Sequence, residues 1–459
     1  MYRVLAIATL TIRAAQRSWM LLSLFLLTAF VFVLLPLNIR GDGTLRGETD
    51  VLLHYTLGFA FFLFAIATTA WACTAVSNEV ASRRIHMVVT KPVRPHEIWL
   101  GHWVGIMAVN AVLLAGAGLA TYGALRWTTR PARLSAEDRL ILERDILATR
   151  RSISPATARL DEVARRQFAE DKAQGRLPAN LSPERAFFEI RDRLLTEMLS
   201  VPPGGVRRWS FPLPRSFPAG AELIMRYRFA TSRPAEGTAL KGQWMVGTAD
   251  SKAPFVHAEG STPNLTHEFR VPAGVGGPGR EVLVEYQNID PATPATILFY
   301  HDEGLDLQYP QGRLETNLLR SLLVMLGYLG FLAALGLTAG SLFHLPVAAF
   351  VSAVSLLVLS LGRFIHTVVA TGVFFISHHG EVPEMTALDR VIFGLFRALN
   401  WFVDPLTRID PLGKLADGLV LPWSTVARAA LVLVLAGGGL LCLAGCLLFR
   451  RRELGAVGE

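Results

Sequence analysis

Apolar and polar positions alternate along this chain on two length scales. On the longer one, six apolar runs approach or exceed the roughly 20 residues a helix needs to cross a hydrocarbon core. They are Trp19–Ile39, Val51–Ser77, Gly101–Arg126, Leu318–Leu342, Pro346–Ile376 and Ala427–Phe449. Arg363 and His366 interrupt the fifth, leaving its ending open between Ile365 and Ile376. On the shorter scale, residues 206–309 change period. Leu223, Met225, Tyr227 and Phe229 alternate with Ile224, Arg226 and Arg228, and Val282, Val284 and Tyr286 alternate with Leu283, Glu285 and Gln287. That period of two, repeated in Gln243–Val246, His267–Val271 and Thr296–Tyr300 between Gly/Pro-rich turns, predicts an antiparallel β-sandwich.

Ahead of the sandwich, Leu134–Leu199 is charged and helical in pattern. Ser135 with Asp138 resembles a capping box, and Ser154-Pro155 and Ser182-Pro183 each set a cap before a proline suited to a first helical turn. Three helices are expected, ending at the breaker Pro202-Pro203-Gly204-Gly205. The expected fold is therefore a polytopic α-helical membrane protein of about six transmembrane helices with an inserted extracytoplasmic α+β domain. Residues 1–126 carry an interfacial helix and the first three spans. Residues 127–205 form the helical segment, 206–316 the sandwich, and 317–459 the last three spans.

Two further segments are amphipathic. Val4, Leu5, Ala8 and Ile12 share a helical face in Tyr2–Arg17, which predicts an interfacial helix entering the first span. Leu388, Val391, Ile392, Leu395, Leu399 and Phe402 share another, predicting a helix over about 388–403 on the outer surface. A cap packed over the bundle and a substrate gate both fit it.

Composition agrees with the membrane class: 51% of residues are hydrophobic and 18% charged. The net charge of +8 follows from topology. Arg3, Arg13 and Arg17, the basic residues of the 78–100 loop, and Arg450, Arg451 and Arg452 all fall on one side if the chain crosses six times. Both termini and that loop are then cytoplasmic. No basic stripe interleaved with aromatics suggests nucleic acid. The first apolar run is too long for a signal h-region and lacks a small-residue cleavage site, so cleavage is not expected. Cys73, Cys442 and Cys446 all lie in predicted spans, where buried small hydrophobes are the expected role rather than metal or redox ligands.

Chemistry is sparse. There is no G-x-S-x-G elbow, no H-E-x-x-H pair, no zinc-spaced cysteine set, and Gly413-Lys414-Leu415 lacks the hydroxyl of a phosphate-binding loop. No catalytic residue, metal or cofactor is assigned to this chain. His54, Arg363 and His366 are the ionisable residues that bear on an ion pathway, with Arg363 placed at the outer interface. Trp209, Trp244, Tyr286 and Tyr300 have rings that stack on sugars, although such rings more often fill a core. His301-Asp302-Glu303 with Asp306 offers metal-ligand atom types without calcium-loop spacing.

The remaining signal is the loop Asn78–Leu100, longer and more charged than a connector requires. With Glu79, Arg84-Ile85, Val88-Val89, Lys91-Pro92-Val93-Arg94, Glu97-Ile98 and Leu100-Gly101 it resembles the ABC-2 type permeases, the membrane subunits of ABC transporters. The tight Ser341–Pro346 turn and the ending Phe449–Leu454 are also similar to that family. Pro95, Val93 in place of the usual serine, and His102 in place of lysine depart from it. The resemblance covers the six spans and not residues 127–317. It implies that a separate cytosolic ATPase, carrying ATP and magnesium, docks on Glu79, Arg83, Arg84, Ile85, Val88, Val89, Pro92, Arg94, Glu97 and Gly101. It also implies pairing with a second permease subunit, the same or different, and export driven by ATPase closure. Glycan, lipid and envelope protein remain open as ligands of the outer domain. A membrane-anchored module that engages an envelope partner without transport is the alternative.

Overall fold

The computed structural model describes residues 2–38, 45–81, 94–130, 142, 146–177, 183–218, 220–232, 239–249, 251, 253–290, 294–301, 304–371 and 387–451. The chain divides into a helical unit, residues 1–149 with 312–459, and a β-rich unit, residues 150–311.

The helical unit begins with α1, Tyr2–Gln16, and α2, Trp19–Asn38. Helix α3, Leu45–Val51, passes through a π-helical turn, Leu52–Thr56, into α4, Leu57–Ala81. Helix α5 runs from Pro95 to Thr128. Its start has a physical cause: the Glu97 carboxylate accepts the Arg94 backbone N–H at 2.8 Å, and Pro95 occupies a position whose missing N–H costs nothing.

The β-rich unit opens with β1, Ala148–Ile153, a strand inside the segment whose pattern predicted helices throughout. The helix expected from Ser154-Pro155 starts instead as α6, Ala158–Ala173, because residues 148–153 pair into the sheet first. It packs on α7, Pro183–Leu199, through Arg191–Asp161 (2.8 Å) and an edge-on Phe168–Phe187 contact. The strands that follow are β2 (Ser200–Val201), β3 (Val206–Pro212), β4 (Leu223–Tyr227), β5 (Phe229–Thr231) and β6 (Leu240–Gly247). Then come β7 (Phe255–Ser261), β8 (His267–Val271), β9 (Glu281–Asn288), β10 (Ile297–Phe299) and β11 (Leu305–Arg313).

They form ladders ordered β1-β11-β4-β8, β2-β10-β5 and β3-β9-β6-β7. Only Arg228 separates β4 from β5. Its N–H donates to Gly304 O (3.0 Å) and its carbonyl accepts from Tyr300 N (3.2 Å), which joins the first two ladders into one layer. The third ladder is the other layer. Between them lie the alternating residues the sequence marked: Leu223, Met225, Tyr227 and Phe229 from one sheet, Val282, Val284 and Tyr286 from the other. Helical Leu195 and Leu199 share this core, so the helical segment and the sandwich form one compact unit rather than two consecutive parts.

The helical unit resumes with α8, Leu314–Leu342, buried on nearly all sides. Helix α9, Leu345–Ser360, and α10, Gly362–Thr371, meet at a 55° bend. The fifth apolar run therefore breaks at Leu361, before either ending the sequence suggested. Helix α11, Ala387–Thr407, is followed by α12, Pro411–Ala416. Helix α13, Trp423–Ala429, continues through a π-helical stretch, Ala430–Gly438, into α14, Gly439–Arg451.

Among the described residues, four helices are long and apolar enough to cross a membrane: Gly47–Ser77, Pro95–Thr128, Leu314–Leu342 and Trp423–Leu447, or five if the bent pair is one span. Helix α8 is their hub. Small residues bring α4 onto it: a Cβ on Gly336 would lie 2.8 Å from Thr69 O, and one on Gly340 2.5 Å from Cys73 O. Ser77 Oγ then donates to Gly340 O at 3.0 Å.

Candidate functional site

Helices α4 and α5 are the two roots of the 78–100 loop, and both pack on α8 and on each other. Trp103 Nε1 donates to Gly330 O (2.9 Å), tying α5 to the hub, and Thr68 Oγ1 donates to Asn110 Oδ1 (2.9 Å), tying root to root. Both roots thus rest on α8, the most buried of the long apolar helices described.

Of the residues expected to dock a partner, Arg83, Arg84, Ile85, Val88, Val89 and Pro92 lie outside the described residues. Glu79 falls in the last turn of α4. Arg94 is exposed at the N-cap of α5. Glu97 and Gly101 are engaged within the chain. The Glu97 carboxylate, besides capping α5, sits 3.6 Å from Arg3 Nη1. Gly101 is the seat of α1: a Cβ there would fall 2.6 Å from Ile7 Cβ and 3.2 Å from Val4 O. Gly105 repeats the contact one turn on, 2.9 Å from Ala8 O.

Pattern reading placed α1 at the membrane interface and missed that it docks on α5. The signal was present in the spacing Gly101-x-x-x-Gly105 set against Val4, Ile7, Ala8 and Thr11. Arg3, Thr11, His102 and Gly105 therefore belong to the site, since they join α1 to the root of the loop.

At the other end of the bundle, α10 is tied to the last turn of α11 and to Asp410 just beyond it. Arg363 pairs with Asp410, His366 Nε2 lies 3.8 Å from Asp404, and Arg408 bonds Asp404 at 2.7 Å. These contacts give Arg363 and His366 a structural role. In α11 the expected apolar face is left open, with Val391, Leu395, Trp401 and Phe402 exposed, while Val403 and Leu406 are buried.

The sandwich rings are placed differently from sugar-stacking platforms. Trp209, Trp244 and Tyr286 are buried, Trp244 lying 4.5 Å from Tyr286 and 4.7 Å from Tyr227. Burial pushes the Tyr227 and Tyr286 hydroxyls above the ordinary phenol range. Tyr300 is more exposed, but its ring carries the Arg228 guanidinium at 5.0 Å and its hydroxyl donates to Asn264 Oδ1. Asp306 is buried and accepts from Ser154 Oγ at 3.1 Å; Asp302 and Glu303 lie outside the described residues. Among the described residues no group of three or more His, Cys, Asp or Glu is placed to hold a metal.

No family model matches the chain, and neither the curated proteins nor the solved structures include a significant match.

Proposed function

We propose that this chain is the membrane subunit of an ATP-driven exporter resembling the ABC-2 type permeases, worked by a separate cytosolic ATPase docked on the 78–100 loop. The observation that supports it most is the rooting of that loop: both flanking helices pack on the hub α8, and α1 is fastened to the α5 root at Gly101 and Gly105. Force delivered to either root, at Ala81 or Pro95, would reach the hub through packed helices, as ATPase closure requires. In this reading the chain crosses a bacterial inner membrane six times, with α2 and the bent α9–α10 pair as the added spans. Both termini face the cytoplasm and residues 127–317 the outside. A second permease subunit completes the translocation unit, and the outer unit meets a lipid, glycan or envelope protein.

A specific observation supports the alternative, a mechanical module that moves nothing across the bilayer. The described interior of the helical unit is mostly apolar, and several of its buried hydroxyls are spent on carbonyls one turn back, as at Thr69 to Ala65 O and Thr121 to Ala117 O. Among the described residues a single copy thus offers a mostly apolar core, which favours a path between copies if cargo does move.

A pull-down from detergent-solubilised membranes tests the reading. Parent protein is expected to recover a nucleotide-binding ATPase, and the Arg83→Glu/Arg84→Glu/Arg94→Glu variant to lose it at equal expression. No ATPase with either protein rejects the permease reading and leaves the envelope-binding module. ATPase recovery without cargo release in proteoliposomes selects the mechanical form.

A further inference from the structure

We propose that the loop-side end of the helical unit binds one ordered water, which accepts from the Trp99 indole N–H and donates to the hydroxyl oxygens of Ser341 and Thr338. The water ties the α5 root to the hub α8 in the space that Gly445 of α14 leaves beside them. The site does not depend on what docks on the loop.

Four helix ends meet around a small pocket. Val76 comes from α4, Ile98 and Trp99 from α5, Ser341 from α8, and Gly445 and Cys446 from α14. Its cavity volume of about 20 Å³ has room for one water, which needs roughly 10–15 Å³. Trp99 is 5% exposed, yet its Nε1 has no hydrogen-bond partner in the protein. A buried indole N–H ordinarily finds an acceptor, in the protein or in ordered water.

Acceptors for such a water stand close by. The Ser341 hydroxyl donates to Thr338 O (2.7 Å) and the Thr338 hydroxyl to Leu441 O (2.9 Å). With their protons spent, both oxygens present only lone pairs. Gly445 brings the three groups together: a Cβ there would stand 3.3 Å from Trp99 Nε1, 3.3 Å from Thr338 Oγ1 and 3.6 Å from Ser341 Oγ. One donor and two acceptors thus surround the same point, and the glycine leaves room at it. A water accepts the N–H and gives both of its protons to the oxygens, the three bonds usual for a buried water. No side chain in the pocket lining carries a charge, and the volume admits nothing larger.

The test is ultraviolet resonance Raman spectroscopy of the full chain in detergent, which reads indole N–H hydrogen bonding. Subtracting the spectrum of the same protein carrying Trp99→Phe isolates Trp99 among the nine tryptophans. The parent is expected to show a bonded indole. Ser341→Ala should leave it bonded, because the water keeps Thr338, whereas a direct bond to Ser341 would be lost. Gly445→Ala puts a Cβ in the water's place, so it should free the indole and lower the melting temperature. In the Trp99→Phe background, which has no donor to strand, Gly445→Ala should not lower it. A free indole in the parent, a free indole in Ser341→Ala, or an equal loss from Gly445→Ala in both backgrounds overturns the proposal. If Gly445→Ala does not fold, the Ser341→Ala/Thr338→Val variant decides: a free indole supports the water, and a bonded one overturns it.

Discussion

Thr11 Oγ1 lies 3.0 Å from His102 Nδ1, both side chains buried where α1 crosses the first turns of α5. The Thr11 hydroxyl has one proton, and it is given to Ile7 O at 2.9 Å. The contact with His102 is then an N–H donated from Nδ1 to the hydroxyl oxygen, which sets the protonated nitrogen of the ring. With Arg3–Glu97 one turn earlier and two glycines beneath, the N-terminal helix is a fixed part of the α5 root.

Replacing Thr11 by valine keeps the volume and removes the acceptor. The Nδ1–H would remain buried without its partner, at a cost of about 1–3 kcal/mol. Thermal unfolding of the solubilised protein should fall for Thr11→Val and stay near the parent for Thr11→Ser. Equal melting of all three would show that the hydroxyl contributes nothing.

The glycines of α5 supply their own control. Gly105 faces α1, with Ala8 O only 2.9 Å from where a Cβ would stand, whereas Gly116 and Gly123 have nothing within 4 Å. Gly105→Leu should therefore destabilise by overpacking, about 1–3 kcal/mol or more because backbone must move. Gly116→Leu should be neutral or slightly stabilising through helix propensity. Limited proteolysis reads the difference: α1 is released early only in the Gly105 variant.

Much of this architecture was legible from hydrophobic period alone. Alternation at Leu223–Phe229 and Val282–Tyr286 marked the inward faces of both sheets, because one buried face admits only one register. The strand Ala148–Ile153 was not legible. Ala-Thr-Arg-Arg-Ser-Ile has no apolar alternation, and its place in the sheet comes from pairing beside β11, a tertiary effect. The fifth apolar run misled for the opposite reason. Its hydropathy continues past Ser360, but Gly362 is needed beneath Thr407, whose Cβ would lie 2.9 Å from a Cβ at that position, and Arg363 turns to Asp410. Of the proposed docking site, charge and length marked the loop, while the engagement of Glu97 and Gly101 by α1 depends on a helix 90 residues earlier.

Tyr227 and Tyr286 make the β-rich unit sensitive to alkali. Both hydroxyls are held above their ordinary range, first of all by burial, so the neutral form is favoured in the folded state. Their contribution is fully present below the unfolded phenol pKa of about 10 and is lost as pH climbs from there toward the higher folded values. Tyrosinate absorbance should show these two phenols ionising only together with unfolding of the strands. Tyr286→Phe should shift that unfolding to higher pH. Ionisation of both before any loss of strand signal would contradict their burial.

Asn317 fixes where the last long helix begins. Its Nδ2 donates to Leu419 O at 2.8 Å and its Oδ1 accepts from Leu421 N at 2.7 Å, while Arg320 Nη1 reaches Leu421 O at 3.2 Å. These bonds anchor residues 419–421 to the hub α8 just ahead of Trp423, whose ring lies 5.0 Å from the Arg320 guanidinium. Asn317→Ala would strip both partners from a segment whose Leu421 is fully buried. The loss is local, because the rest of α8 keeps its packing with α4 and α5. Amide exchange at Leu421 should accelerate about tenfold, equivalent to 1.4 kcal/mol, with amides of Val324–Leu337 unchanged. Uniform acceleration would mean that Asn317 supports the whole bundle, and unchanged exchange at Leu421 would mean that the anchor is made elsewhere. Because Arg320 holds the same segment, Asn317→Ala and Arg320→Ala should be non-additive, with the double variant losing more at Leu421 than the two single effects combined.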